Sequence, residues 1–255
     1  MKKTSTTLLI ALSAFVISLS SCKKDDDSNT NTNPTPVSTT DLFDFSDSWG
    51  LLAGVKTVTF QTIPVIGGTQ EIDLGTAVVA FNDAAGSNTY LDAGTAKCNT
   101  KTLTKQSNNS YVFQPSQTDI TGIDFSSGSD WEVTGAGSIP AITHSFNTFP
   151  TTPTITSNKE TVTRANGYTF STSSVSYADS VLYVISSGNN YVKKSVAGNV
   201  SSVTFTASEL STLDASSYGL IQVTPYAYQT NTTVVPGKKV YFVNQVTVSD
   251  IVEVQ

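Results

Sequence analysis

Asp130-Trp131-Glu132-Val133-Thr134 and Val78-Val79-Ala80-Phe81 decide the fold class of this 255-residue chain. In the first stretch apolar and polar residues alternate, so Trp131 and Val133 point to one side of a strand and Asp130, Glu132 and Thr134 to the other. The second is apolar on both faces, as a strand buried in the middle of a sheet would be. Short runs of this kind recur along the whole chain. Val, Thr, Tyr and Phe are separated by Gly, Asn, Ser and Pro, Ser and Thr exceed a quarter of all residues, and charged residues are only 13%. That is the composition of strands and turns.

Working outward, strands are expected at 55–63, 77–82, 94–99, 111–114, 120–125, 131–134 and 141–146. Phe149-Pro150-Thr151-Thr152-Pro153 then forms an extended break that neither helix nor sheet interior accepts. A second series is expected at 154–157, 160–163, 168–171, 180–186, 191–195, 201–206, 220–228 and 239–248. One helical piece is expected at Ser208–Leu213 with Ser208 as N-cap. About seven short strands per 105 residues predict antiparallel sandwiches. The fold expected is all-β: two tandem antiparallel β-sandwich domains, at 41–150 and 151–255.

The N-terminus reads as a targeting segment. Lys2 and Lys3 precede an apolar run from Leu8 to Leu19, about 12 residues and too short for the roughly 20 that span a bilayer. The run ends at Leu19-Ser20-Ser21-Cys22, which resembles a bacterial lipobox. The resemblance implies removal of residues 1–21 and diacylation of the Cys22 thiol, with a third chain on the new amine; two or more acyl chains give stable anchoring. Cys22-Lys23-Lys24-Asp25-Asp26-Asp27 resembles the surface-export signal of Bacteroidota lipoproteins, with Lys24, Asp25 and Asp26 as its elements. This implies an outer-membrane lipoprotein facing the cell exterior. Residues 22–40 (after the Cys, KKDDDSNTNTNPTPVSTT) hold one large aliphatic residue, Val37, and no aromatic, so they read as a flexible tether.

Twelve of the 14 basic residues and all 20 acidic ones lie beyond residue 21, so the mature chain carries a charge of −8. An acidic surface excludes nucleic acid as a natural partner. With Cys22 acylated, Cys98 has no disulfide partner, and in Thr95-Ala96-Lys97-Cys98-Asn99 it shares a face with Ala96. It is expected in the core.

Tyr168-Thr169-Phe170-Ser171 followed by Val175-Ser176-Tyr177-Ala178-Asp179-Ser180-Val181-Leu182-Tyr183 resembles the B and C strands of fibronectin type III and related immunoglobulin-like domains. Those domains usually carry a Trp straight after the B-strand serine; here Thr172 stands there. The resemblance implies an immunoglobulin-like sandwich over 153–250. Asp179-Ser180-Val181 also resembles the Bacteroidota O-glycosylation acceptor, which would make Ser180 a modification site; a turn leading into a strand accounts for the same residues.

Chemistry is sparse. His144 is the only histidine and shares a strand face with Ile142 and Phe146, so it reads as a half-buried strand residue; one His and one spare Cys rule out an ordinary zinc site. No serine sits in a nucleophile motif and no Gly-rich phosphate loop is present. Asp124, Asp130 and Glu132 are close in sequence, yet solvated strand-end acids explain them. No catalytic residue, metal or cofactor is expected. Binding would fall to aromatics: Trp49 near a domain edge as an exposed ring, and Tyr226 with Tyr228 on one strand face. The function expected is a lipid-anchored binding or adhesion protein recognising a glycan or protein. The alternative is a non-catalytic accessory subunit of an outer-membrane assembly such as a glycan-uptake system.

Overall fold

The computed structural model describes residues 47–255 apart from 64–67, 86, 88 and 236. Cys22, Lys24, Asp25 and Asp26 lie outside the described residues. In chain order the strands are β1 (Ser48–Ile63), β2 (Gly68–Phe81), β3 (Ala96–Cys98), β4 (Lys101–Thr102), β5 (Thr104–Lys105), β6 (Tyr111–Phe113), β7 (Ser129–Val133) and β8 (Ile142–Phe146). They continue with β9 (Thr161–Val162), β10 (Tyr168–Ser171), β11 (Ser180–Ser187), β12 (Asn190–Ala197) and β13 (Ser202–Phe205). A helical turn, α1 (Ala207–Leu210), precedes the two long strands β14 (Ser216–Val235) and β15 (Lys238–Val254). The protein is all-β, as the alternation at Trp131 predicts.

One large sheet organises the molecule. Its order is β12-β11-β14-β15-β1-β2-β6-β5, with β9 also paired to β15. A four-stranded sheet, β4-β3-β7-β8, and a two-stranded sheet, β10-β13, lie outside it. On the inner face of the large sheet, Leu52, Ala227, Val240 and Phe242 pack with Trp131, Val133, Cys98 and Phe146 of the four-stranded sheet. Farther along the same face, Val58, Val181, Tyr183, Val223, Val246 and Val248 pack with Phe170, Val203 and Phe205, and with Leu210 and Leu213 at α1. Two cores thus sit side by side under one sheet, and the inward residues of β15 (Val240, Phe242, Val246, Val248) serve both.

This layout corrects the expectation of two tandem sandwiches split near residue 150. The described residues fall in a single compact unit, and strands from both sides of that boundary are hydrogen-bonded neighbours. β1 pairs with β15 in parallel from Ser48↔Lys239 to Val58↔Val248, so the sheet is mixed rather than wholly antiparallel. A parallel neighbour needs a long crossover, and here the crossover is nearly the entire chain between them. No local pattern could announce it.

The junction between the cores is held by polar contacts. Asn244, fully buried in β15, donates from Nδ2 to the carbonyls of Phe146 and Thr148, both at 2.9 Å. Its Oδ1 accepts from Ser129 Oγ at 2.7 Å, and Ser129 Oγ accepts from Trp131 Nε1 at 3.0 Å. Gly54, opposite Asn244 on β1, leaves the space: a Cβ there would lie 3.0 Å from the Phe125 ring and 3.2 Å from Asn244 Oδ1. The Pro-rich break lies over this junction as a strap. Phe149 packs against both cores, its ring tilted against that of Phe125 with centroids 4.7 Å apart. Pro150 and Pro153 are buried, and Thr152 Oγ1 accepts from Lys56 Nζ at 3.1 Å.

Three local readings change. Residues 120–125 form a loop, not a strand; it threads against β2, where Gly75 N donates to Thr121 O at 2.8 Å and Ile123 N donates to Gly75 O at 3.1 Å. A Cβ on Gly75 would meet Ile123 O at 1.8 Å, so only glycine permits this approach. Residues 154–157 contribute a single bridge, Ile155↔Thr172. The N-cap of α1 is Thr206 rather than Ser208, in a capping box with Glu209.

Because one sheet carries both cores, unfolding in urea is expected to be a single transition, with tryptophan fluorescence (the first core) and far-ultraviolet circular dichroism coincident. Asn244→Ala strands two buried carbonyls and the Ser129 hydroxyl, and is expected to lower stability by about 3 kcal/mol while keeping one transition. Two separated transitions in the parent chain would show that the halves fold independently.

Candidate functional site

The residues proposed from sequence land in unexpected places. Trp49 is 2% exposed and packs edge-on to Phe81 at 5.6 Å, with Lys238 Nζ 4.4 Å over its ring. It is not the exposed ring expected near a domain edge, because β1 begins at Ser48 and draws it into the first core. Tyr226 and Tyr228 do share a face, the outer one, but Tyr226 is only 8% exposed and belongs to an apolar cluster with Leu51, Ala53, Tyr241 and Val243. Burial raises the pKa of the Tyr226 hydroxyl, and Tyr228 packs on the same cluster with its ring 6.2 Å from Tyr241. Neither is a free stacking platform.

Ser180 opens β11 and is 1% exposed. Its Oγ is enclosed and has no hydrogen-bond partner, so a glycosyl group has no room there in the folded chain. Asp179 instead accepts from Tyr228 N at 2.8 Å and shapes the turn. Cys98 and Trp131 are buried in the first core, as alternation predicts, and burial raises the Cys98 thiol pKa far above its usual range. His144 is half-buried, stacked on Phe242 at 3.7 Å with Nε2 2.9 Å from Gln229 Oε1. Glu132 pairs with Lys97 at 3.3 Å, and Asp124 accepts from Ser126 N at 2.8 Å. Among the described residues no three His, Cys, Asp or Glu side chains are grouped to hold a metal ion.

Exposed aromatic surface is found elsewhere. Register across four strands sets Tyr191 beside Ser186, Ser186 beside Leu220, and Leu220 beside Ile251. Neighbouring strands lie about 4.8 Å apart, so the row spans roughly 14 Å. It lies on the outer face, opposite Ile185, Ile221 and Val252 in the second core. Tyr191 is 59% and Ile251 64% exposed. Tyr218, 85% exposed, stands at the end of β14 where a bulge between Ser216 and Gly219 shifts the register. The adjacent row, Lys193, Val184, Gln222 and Ser249, is polar except for Val184. Gln222 Nε2 donates to Thr224 Oγ1 at 3.1 Å. Tyr191, Leu220 and Ile251 therefore lie in one row of the outer face, next to a row that carries an amide and a hydroxyl.

Sequence reading passes over these residues. Tyr191 follows a turn and Tyr218 sits in a Ser-rich stretch, so each resembles ordinary strand filler. Only register brings Tyr191 into one row with Leu220 and Ile251. On β10 a shallow recess of about 470 Å³ is lined by neutral groups including Ser157, Asn158, Thr163, Asn166 and Tyr168. It offers hydrogen bonds and no acid–base pair.

No protein family matches the sequence, and no curated protein matches it. Among solved structures, the chain is similar to one concerning host cell surface retention of a 1.5-MDa bacterial ice-binding adhesin, at 15% identity and a TM-score of 0.25, over 80% of this chain and 66% of that one. It is also similar to a Ca²⁺-stabilized adhesin that helps an Antarctic bacterium reach out and bind ice, at 14% identity and a TM-score of 0.25, over 82% of this chain and 50% of that one. The chain thus spans less than two thirds of either.

Burial raises the hydroxyl pKa of Tyr168, Tyr183 and Tyr226. The unfolded chain therefore loses these protons first, near pH 10. Their contribution to stability is complete below that pH and falls as pH rises toward the folded values. Absorbance at 295 nm is expected to show these tyrosines ionising together with unfolding, as followed by circular dichroism; their ionisation in the intact fold would contradict the burial.

Proposed function

We propose that this chain is a lipid-anchored protein of the cell surface that binds glycan through the outer face of its large sheet. The observation that carries the reading is the outer-face row in which Tyr191 and Ile251 are exposed and Leu220 is half-buried, with exposed Tyr218 two residues from Leu220 on β14. Ring faces and aliphatic side chains stack on the apolar faces of sugar rings, while Gln222 and Ser249 supply hydrogen-bonding groups alongside. A strip of this size is small for a stable protein partner, which buries about 800 Å² on each side. The lipobox-like Leu19-Ser20-Ser21-Cys22 supports the anchor, the Lys24-Asp25-Asp26 stretch supports display outside the cell, and the tether would lift the sheet clear of the lipid.

The test is a glycan panel probed with the parent chain and with the double variant Tyr191→Ala/Tyr218→Ala. Both side chains are exposed, so the substitution is expected to change stability by no more than about 0.5 kcal/mol and to weaken glycan binding at least tenfold. If no glycan binds, and an outer-membrane protein is retained by the parent but not by the double variant, the sheet face serves an accessory role and the glycan reading fails. The anchor is tested separately: Cys22→Ser is expected to abolish incorporation of labelled palmitate and move the protein to the soluble fraction.

A further inference from the structure

The middle of the outer face is closed, and its own sheet does not close it. Leu51, Ala53, Tyr226, Tyr241 and Val243 form an apolar cluster there, every one less than a tenth exposed. These residues, and Leu182 and Tyr228 packed on them, all belong to β1, β11, β14 or β15. The four-stranded and two-stranded sheets are committed to the two cores of the inner face. On a bare sheet face a side chain touches only its same-face neighbours, and the tops of the largest rings stay open to water. Tyr191 and Ile251, on the same face, behave that way. Tyr226 and Tyr241 do not. Gln245 and Ser180, the neighbours of Tyr226 on either side, are closed as well, and the Ser180 hydroxyl is shut in without a hydrogen-bond partner. A layer over this part of the sheet is required, and no element among the described residues supplies it.

We infer that the layer is the segment Asp41-Leu42-Phe43-Asp44-Phe45-Ser46 of the same chain, with Phe43 and Phe45 laid over Tyr241, Val243 and Tyr226. The segment adjoins the face. The Asp47 carboxylate accepts from Lys239 Nζ and, at 2.7 Å, from Tyr241 OH, so the chain meets β1 beside one member of the cluster. That point is the rim of a recess of about 280 Å³ that also takes in Trp49, Asp83 and Lys238. The reach is sufficient. Tyr241, Val243 and Gln245 are successive outer-face residues of β15, and two such steps cover about 14 Å; six extended residues span roughly 20 Å. The chemistry also fits. Between Lys23 and Asp47 the large apolar side chains are Val37, Leu42, Phe43 and Phe45, so three of the four lie in this segment. In an extended chain Phe43 and Phe45 point to one side and Asp44 to the other. Phenyl rings offer no hydrogen bond, in keeping with the closed and unpartnered Ser180 hydroxyl. The tether then joins the fold on the outer face, and the open part of that face is confined to the end that carries Tyr191 and Ile251.

Nuclear Overhauser contacts in the full chain in detergent micelles test the assignment. The Val243 methyl groups are expected to show contacts to the Phe43 or Phe45 ring protons. Phe43→Leu/Phe45→Leu keeps an apolar cover and is expected to remove those contacts while leaving the Trp131 indole signal in place. Phe43→Ser/Phe45→Ser removes the cover. Tyr226 is then expected to react with tetranitromethane at least about tenfold faster than in the parent, read by mass spectrometry of the digested chain. The inference is overturned if the leucine variant loses no Val243 contact, or if Tyr226 reacts at the parent rate in a folded serine variant. A second copy in this place would give contacts only between differently labelled chains, and a lipid cover would give contacts to the detergent acyl chains; either result overturns it too. Tyr191 and Tyr218 lie outside the cluster, so the glycan panel and this test succeed or fail separately.

Discussion

Asn244 is the constraint around which the rest of the protein is arranged. A primary amide buried in the middle of a long strand must find partners for all its polar atoms, and it finds them across the layers. Its Nδ2 reaches the carbonyls of Phe146 and Thr148, and its Oδ1 takes the Ser129 hydroxyl. These contacts tie the four-stranded sheet and the strap to β15 at the point where one apolar core ends and the other begins. A valine there would have merged the two cores into one greasy stripe without fixing how the covering layers sit. The amide gives the interface a register as well as an area.

The length of β14 and β15 follows the same logic. Strands of 20 and 17 residues are several times the ordinary length, and they run under both cores. Pro225 sits inside β14, opposite Val181 of β11, although proline is generally excluded from central strands. The β14–β15 ladder passes from Val223↔Val248 to Tyr226↔Gln245, so the proline falls in the interval between those pairs, close to the Asn244 junction. Edge protection is also visible: Lys194 on the edge strand β12 turns inward, donating to Thr204 O at 2.7 Å and pairing with Glu209 at 3.0 Å. An inward charge on an edge strand discourages further pairing, which leaves the faces and loops of this sheet, rather than its β12 edge, as its contact surfaces.

The two faces of the large sheet divide the labour. The inner face is committed to the cores. The outer face changes character along its length, from the buried cluster around Tyr226, Tyr241 and Val243 to the exposed Tyr191 and Ile251. Both ends are aromatic, so composition alone does not separate a packed tyrosine from a presented one. The two recesses carry their own chemistry, neutral at Tyr168 and lined by charges of both signs at Trp49.

Alternation was enough to read the all-β class, most strands, and the burial of Trp131, Cys98 and Phe146, because a side-chain period of two depends only on neighbours in the chain. Tyr168–Ser171 was read with its observed boundaries, and the hydrophilic face of β7 with its observed pattern. Tertiary structure decided what depends on distant partners. The parallel pairing of β1 with β15 joins residues about 190 apart, so the 150/151 boundary that a Pro-rich segment suggests is a strap over a shared sheet. Trp49 is buried because β1 enters the sheet beside β15, and Tyr191 and Ile251 meet because three strand registers coincide. Local sequence carries the periodicity of each strand; only the assembled sheet determines which strands are neighbours, and through them which aromatic rings face water.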